Sequence, residues 1–278
     1  MSLDKLNLTT FSSADTSLLY EIGDVVEDKH RTHFYRFFCK LEYAEVMWKP
    51  HRFGDETNFK FPFLKIDINP KYFESFVSML GYLKNLLGVE DLDMTSLNVS
   101  RLDLKSDIYD LPIDVVLSRL HATGFRRESL SLYKSSIYVG SNPKIRAYDK
   151  SREILSRLKK GKDVLDWERE INSSGKQLTR FEIQLRHLKM SLWDIANNPL
   201  ELASHFDRLK FYNFEDDGKI ASMGGLQLLM SKVSRKHRQA LEKYRDHDLE
   251  ALVRQNFIDG LSQWFGIGEP TTVDNIQF

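Results

Sequence analysis

The sequence predicts an α+β fold, namely a largely antiparallel sheet with flanking helices, followed by a helical C-terminal region. Strand-like and helical segments interleave up to about residue 190, and helical patterns dominate beyond it. Three of the strand-like segments alternate polar and apolar residues, as half-buried strands do. We therefore expect an α+β domain over residues 1–190 and a helical region, suited to DNA recognition or dimerisation, over residues 191–278.

Each predicted element follows from a local pattern. Apolar residues at helical spacing from Phe73 to Leu87, closed by Gly88, predict a helix, whereas period-two alternation predicts strands. Residues 1–30 are polar and predict an irregular or helical arm. Strands are expected over residues 33–48, 59–68, 97–108, 130–139, 144–150 and 178–186. Helices are expected over residues 73–87, 112–123, 151–162, 200–209, 226–244 and 249–264, with a polar connection over 163–178.

Composition narrows the class of protein. With 278 residues, of which 41% are apolar and 29% charged, the chain resembles an ordinary globular protein with a core. Its single cysteine, Cys39, cannot form an internal disulfide, which fits a reducing compartment. There is no apolar run of about 18 residues and no basic patch followed by an apolar stretch at the start. We expect a cytoplasmic protein without a membrane partner.

Charge is unevenly distributed although the formal net charge is zero. Residues 121–190 contain 16 Lys and Arg but only 8 Asp and Glu, which favours a polyanionic partner. The alternative is a solvated helix face. A second basic stretch contains Arg235, Lys236 and Arg238, which either contact DNA or lie on an exposed helix balanced by nearby acidic residues.

Three predicted strands each place polar residues on one face. These are Arg101, Asp103, Lys105 and Asp107 in the first, Arg146, Tyr148 and Lys150 in the second, and Arg180, Glu182, Gln184 and Arg186 in the third. Half-exposed strands also alternate in this way merely to face water, often with cross-strand ion pairs. Three such strands together favour a functional face.

This set of residues suits phosphodiester chemistry. Asp103, Asp107 and Glu182 are oxygen ligands of the kind that Mg²⁺ or Mn²⁺ prefers. Tyr148 could attack phosphorus if Arg146 and Lys150 favoured its phenolate, since a phenol with a pKa of about 10 is a poor nucleophile. Phosphates could be held by Arg101, Arg180 and Arg186.

The order of four motifs resembles the trans-acting rolling-circle initiators, a family of plasmid initiators, some filamentous-phage replication proteins and certain relaxases. The motifs are Val-Ser-Arg-Leu-Asp-Leu-Lys-Ser-Asp at 99–107, Ile-Tyr-Val-Gly-Ser at 137–141, Arg-Ala-Tyr-Asp-Lys at 146–150 and Arg-Phe-Glu at 180–182. The resemblance covers roughly residues 30–190. It departs from many rolling-circle nucleases, which hold metal with two histidines separated by one apolar residue, because no such pair occurs here.

The resemblance implies a DNA nickase that starts rolling-circle replication at an origin, acting on partly single-stranded DNA. Tyr148 would become bonded to the 5′ phosphate and leave a free 3′ hydroxyl. Asp103, Glu182 and Asp107 would hold Mg²⁺ or Mn²⁺, and Arg146 and Lys150 would contact the phosphate or phenolate. Ser141, after Gly140, and Lys144 would lie close to DNA. Whether the protein forms a homodimer, and whether a host helicase binds the C-terminal helices, are questions that stay open.

Two other functions fit the same residues. One is a DNA-binding regulator of the same ancestry without catalysis, and the other is an unrelated α+β scaffold with surface ion pairs. Tyr133 and Tyr138, near Tyr148, are expected to be packing or hairpin-pair residues. His121 and His187 are expected to be polar core or surface residues rather than metal ligands.

Overall fold

A computed structural model describes residues 2–11, 16–51, 61–124, 129–162, 164–214, 230, 239 and 241–267. The chain forms two compact units, which interleave along the sequence. The first comprises residues 1–104, 185–201 and 260–278, and the second comprises 105–184 and 202–259. Each unit thus takes segments from both sides of residue 190, and the functional division at that residue stays a prediction.

The α+β prediction is confirmed, because a ten-stranded antiparallel sheet dominates the described residues. Its strand order is β2-β3-β4-β5-β1-β6-β11-β10-β9-β8, and β7 and β12 pair separately. The strands are β1 (Leu3–Thr10), β2 (Val25–Glu27), β3 (Tyr35–Lys40), β4 (Ala44–Pro50), β5 (Leu64–Ile68), β6 (Asn98–Tyr109), β7 (Leu120–Ala122), β8 (Leu130–Tyr133), β9 (Ser136–Val139), β10 (Lys144–Asp149), β11 (Leu178–Arg186) and β12 (Leu209–Phe211).

Seven α-helices and three 3₁₀ segments accompany the strands in the described ranges. The helices are α1 (Ser17–Ile22), α2 (Phe76–Leu87), α3 (Ile113–Arg119), α4 (Lys150–Lys159), α5 (Asp166–Ser174), α6 (Leu192–Asn197) and α7 (His247–Phe265). The 3₁₀ segments are Pro70–Tyr72, Pro199–Arg208 and Glu242–Tyr244. The predicted helix over 249–264 is therefore confirmed as α7, whereas that over 226–244 falls largely outside the described residues. No described helix is both long enough and apolar enough to cross a membrane.

In the first unit, β1 is an interior strand, so the prediction of an irregular or helical arm over residues 1–30 was wrong for residues 3–10, whereas α1 forms a helix within that range. β1 pairs with β5 on one side and with β6 on the other, and Leu6 lies opposite both Ile68 and Leu102. Leu6 and Leu8 are almost fully buried. Polar residues interrupt the apolar ones along this strand, so its sequence did not indicate a core strand, although Asn7, Thr9 and Thr10 are buried as well.

Helix α2 ends where it was predicted to end but begins at Phe76, three residues later than predicted. Ser75 and Ser78 form a reciprocal cap at its start, and Gly88 ends it in a left-handed conformation with a φ of 64°. Its apolar face, which includes Met79 and Leu83, is buried. The helix therefore both starts and stops where local sequence favours it.

In the second unit, the sheet buries an apolar face made by alternate residues of β9, β10 and β11. Val139, Ile145, Ala147, Phe181 and Ile183 are fully buried there. β11 matches its predicted range of 178–186. Because this face enters the core, the opposite face carries the polar residues of the same strands.

Three local predictions in the second unit were wrong. The segment 130–139 is not one strand but the hairpin of β8 and β9. The helix predicted over 112–123 ends at Arg119, because Leu120–Ala122 forms β7 and pairs with β12. The polar connection predicted over 163–178 contains α5, whose Ile171 packs with Ile154 of α4 and with Leu178 in a separate apolar cluster.

Candidate active site

Strands β10 and β11 bring four of the predicted site residues onto one face of the second unit. Arg146 lies directly opposite Glu182, and Tyr148 directly opposite Arg180. Directly opposite residues of an antiparallel pair share a face and have neighbouring Cβ atoms. The register therefore places the predicted nucleophile beside a carboxylate and two guanidinium groups.

Tyr148 and Glu182 are in direct contact. The Tyr148 hydroxyl donates a hydrogen bond of 2.6 Å to Oε1 of Glu182. The other carboxylate oxygen of Glu182 is ion-paired with Nη2 of Arg146. Glu182 is buried, whereas Tyr148 and Arg146 are only partly buried. The phenol is thus accessible on one side and held by a buried, charge-compensated carboxylate on the other.

Arg180, directly opposite Tyr148 on β11, is engaged by Asp107 of β6. Its Nε and Nη2 atoms donate to the two oxygens of Asp107 at 2.6 Å and 2.7 Å. The guanidinium also lies 6.0 Å from the ring centre of Trp167 in α5. Burial tends to raise the pKa of Asp107, but the charge and hydrogen bonds of Arg180 hold that pKa below its usual value.

Lys150 does not extend the polar face of β10 as predicted. The Asp149 carboxylate accepts a hydrogen bond of 2.9 Å from the Arg152 backbone amide, so α4 begins at Lys150. Lys150 is buried and pairs with Glu153 at 2.5 Å and with Glu168 at 3.0 Å. Because Asp149 caps the helix, the strand ends one residue after Tyr148 and Lys150 belongs to α4.

Glu168 of α5 is a buried residue that sequence reasoning missed. Beyond Lys150, it accepts hydrogen bonds from Arg157 at 2.9 Å and from the Leu165 backbone amide at 2.9 Å. Burial tends to raise its pKa, but the Leu165 amide and the two cations hold the pKa below its usual value. The sequence did contain a signal for α5: the spacing of four residues between Trp167 and Ile171 is typical of one helix face.

The three carboxylates predicted to hold a metal do not form a metal site. Asp103, in the first unit, accepts hydrogen bonds of 2.9 Å and 2.6 Å from Arg101, two residues before it in β6. Asp107 and Glu182 are likewise engaged by arginines. Across the described ranges, no three His, Cys, Asp or Glu side chains could together hold a metal ion. The residues therefore do not fit the predicted three-carboxylate centre, although a requirement for Mg²⁺ or Mn²⁺ stays a prediction.

The remaining predicted DNA contacts differ in their exposure. Lys105 is buried in β6, whereas Ser141 is exposed after Gly140, which has a left-handed φ of 73°. Lys144 is partly exposed at the start of β10, and Arg186 is exposed at the end of β11. Arg235, Lys236 and Arg238 lie outside the described residues.

The structure describes the tyrosines and histidines that lie near the motifs. Tyr133 and Tyr138 are edge-to-face, with ring centres 5.8 Å apart. His121 is buried with its ring 6.1 Å from that of Tyr212, and His187 is exposed.

Comparison with known proteins supplies no family. No protein-family model matches the chain, and no curated protein matches it significantly. The chemistry of the site residues and the order of the sequence motifs are therefore what supports a function for this protein.

Proposed function

We propose that this protein nicks one strand of DNA by tyrosine transesterification and thereby initiates rolling-circle replication. The observation that supports this proposal is the hydrogen bond of 2.6 Å from the Tyr148 hydroxyl to Glu182. A nucleophile in hydrogen-bond contact with a carboxylate, itself oriented by a third group, is the arrangement that nucleophilic catalysis needs. Arg146, ion-paired with Glu182, is that third group.

The proposed step exchanges one phosphate ester for another. Oη of Tyr148 forms a bond to phosphorus, and the bond from phosphorus to the 3′ oxygen of the DNA breaks. The phenolic proton passes to Glu182 and then to solvent, while the leaving 3′ oxygen takes up a proton from solvent. The products are a strand joined through its 5′ phosphate to Tyr148 and a strand with a 3′ hydroxyl that can prime synthesis.

Positive charge beside the phenol supports a phosphate substrate. Arg146 is partly exposed next to the Tyr148–Glu182 contact, and a guanidinium can bind phosphate oxygens through two parallel hydrogen bonds. Lys144 lies two residues earlier on the same face of β10. As negative charge builds on phosphorus during attack, these two cations would stabilise the transition state.

The test is an incubation with supercoiled DNA that carries the sequence flanking the gene, followed by denaturing electrophoresis. Parallel reactions contain Mg²⁺, Mn²⁺ or a chelator, which tests the predicted cofactor. We expect the parent protein to give a nick and a detergent-resistant protein–DNA adduct. Tyr148→Phe should give neither, whereas the matched control Tyr20→Phe, at an exposed position in α1, should behave as the parent.

The results separate the proposal from its alternatives. An adduct formed equally by Tyr148→Phe would overturn the assignment of the nucleophile. DNA binding without any nick or adduct under all three conditions would favour a regulator that lacks catalysis. Absence of both binding and nicking would leave an α+β scaffold whose polar face carries ion pairs.

A further inference from the structure

The face that carries Tyr148 continues across β9 and β8 with two further tyrosines. We propose that Tyr133 and Tyr138 form a stacking site for unpaired bases of single-stranded DNA beside the reactive phenol. This inference rests on the proposed function, because it assigns the substrate form that the same face binds. The proposed site gives Tyr133 and Tyr138 a binding function in addition to their contact within the hairpin of β8 and β9.

Strand register places both tyrosines on the face of Tyr148. Tyr148 lies opposite Ser136, and Ser136 lies opposite Tyr133 on β8. In the neighbouring row, Arg146 lies opposite Tyr138. Directly opposite residues share a face, so Tyr133 lies on the same face as Tyr148, and Tyr138 lies on the same face as Arg146.

Tyr133 is exposed and Tyr138 is partly exposed. β8 is the last strand of the sheet, and all four of its residues are exposed. Tyr133 is 59% exposed, although its ring centre is 5.8 Å from that of Tyr138. A tyrosine pair that served only packing would bury most of this aromatic surface, since burial is where its stabilising effect arises.

Cations accompany the rings along the same surface. Nζ of Lys144 lies 5.2 Å from the ring centre of Tyr138, and Arg146 is directly opposite that residue. Proteins that bind single strands combine aromatic rings, on which bases stack, with positive charges that follow the phosphates. Duplex DNA keeps its bases stacked inside the helix, so exposed rings on a sheet favour an unpaired strand.

The experiment compares two fluorescent oligomers of equal length and charge, about 12 nucleotides long, which covers typical binding sites of this kind. One is oligothymidine and the other carries the same phosphates on abasic sugars. Binding is measured by anisotropy in the Tyr148→Phe background, so that no covalent product forms. We expect oligothymidine to bind about tenfold more tightly, a factor that lies within the range expected from stacking of one base.

Variants of the exposed ring provide the decisive comparison. Tyr133→Ala should reduce the preference to about unity, whereas Tyr133→Phe should keep it, because phenylalanine retains the aromatic face. Tyr138→Ala should also lower the preference, and circular dichroism checks that each variant folds. Equal binding of the two oligomers by the Tyr148→Phe protein would overturn the proposal, and so would an unchanged preference in Tyr133→Ala.

A second copy of the chain is the competing occupant of this surface. Sedimentation velocity of the same variants tests it: loss of a dimer in Tyr133→Ala without any change in base preference would overturn the stacking site. Failure of the nicking assay is a separate outcome. A base preference without an adduct would contradict only the transesterase, and an adduct without a base preference would contradict only the stacking site.

Discussion

Oη of Tyr148 lies 2.6 Å from Oε1 of Glu182, on the neighbouring strand and the same face of the sheet. Glu182 is buried and is also paired with Arg146, so its position is determined by contacts on two sides. The phenolic proton therefore has a defined acceptor, and this contact leads directly to the first prediction.

Replacing Glu182 with glutamine tests the carboxylate as proton acceptor. Glu182→Gln keeps an oxygen that can accept the Tyr148 hydrogen bond but removes the basic group. We expect single-turnover nicking to slow by about 10²–10⁴-fold, the usual contribution of a general base, with little change in DNA affinity. Glu21→Gln, at an exposed position in α1, is the matched control. A nicking rate within twofold of the parent would show that Glu182 does not take the proton.

The ion pair between Arg180 and Asp107 should stabilise the folded protein. Arg180→Leu leaves the Asp107 carboxylate without its bidentate partner, and we expect the free energy of unfolding to fall by about 3 kcal/mol. The double variant Asp107→Leu/Arg180→Leu should recover part of this loss, because it leaves no uncompensated charge. Urea unfolding measures both variants. Additive effects of the two substitutions would contradict a direct coupling.

Glu168 predicts a specific dependence of stability on pH. Its folded-state pKa is lowered, so it contributes stability fully above its unfolded-state pKa of about 4.3, and this contribution is lost as pH falls through the folded-state pKa. We expect Glu168→Gln to be less stable than the parent near neutral pH and to show a smaller decline on acidification. Thermal unfolding across the acidic range measures this. Parallel stability profiles for the two proteins would count against the assignment.

Salt should weaken DNA binding steeply, because cations that contact phosphates release counterions. For a single strand, each phosphate contact contributes about 0.7 to the slope of log affinity against log salt. Lys144→Gln should therefore lower the slope by about that amount, and Lys29→Gln, exposed in the first unit, should leave it unchanged. Anisotropy titrations at several salt concentrations measure the slopes. Equal slopes for parent and Lys144→Gln would remove Lys144 from the phosphate path.

Alternation of polar and apolar residues predicted the strands that bury a complete apolar face. β11 was predicted at its observed bounds, because apolar residues at 181, 183 and 185 alternate with polar residues along the strand. Elements whose sequence lacks a clear apolar alternation were harder to predict. β1 is rich in polar residues, and β7 is a strand of only three residues whose pairing with β12 overrides the helical pattern before it.

The candidate site was predicted in composition but not in its contacts. Period-two spacing placed Tyr148, Arg146 and Glu182 on polar strand faces, and the structure brings these three together. Spacing within one strand does not determine which residues of another strand lie opposite. The sequence therefore did not predict the partners of Asp107 and Lys150. These partners depend on how the strands lie beside one another and on the helix cap at Asp149.

The interior position of β1 has a consequence for the order of folding. Leu6 must pair with Leu102, almost a hundred residues later, before the first unit's part of the sheet can be continuous. During synthesis the strand that completes this pairing emerges long after β1, and closure of so long a loop is entropically unfavourable. Until then, even after β5 has paired with β1, the other edge of residues 3–10 presents unpaired backbone groups to other chains, and we expect this edge to promote association of incomplete chains.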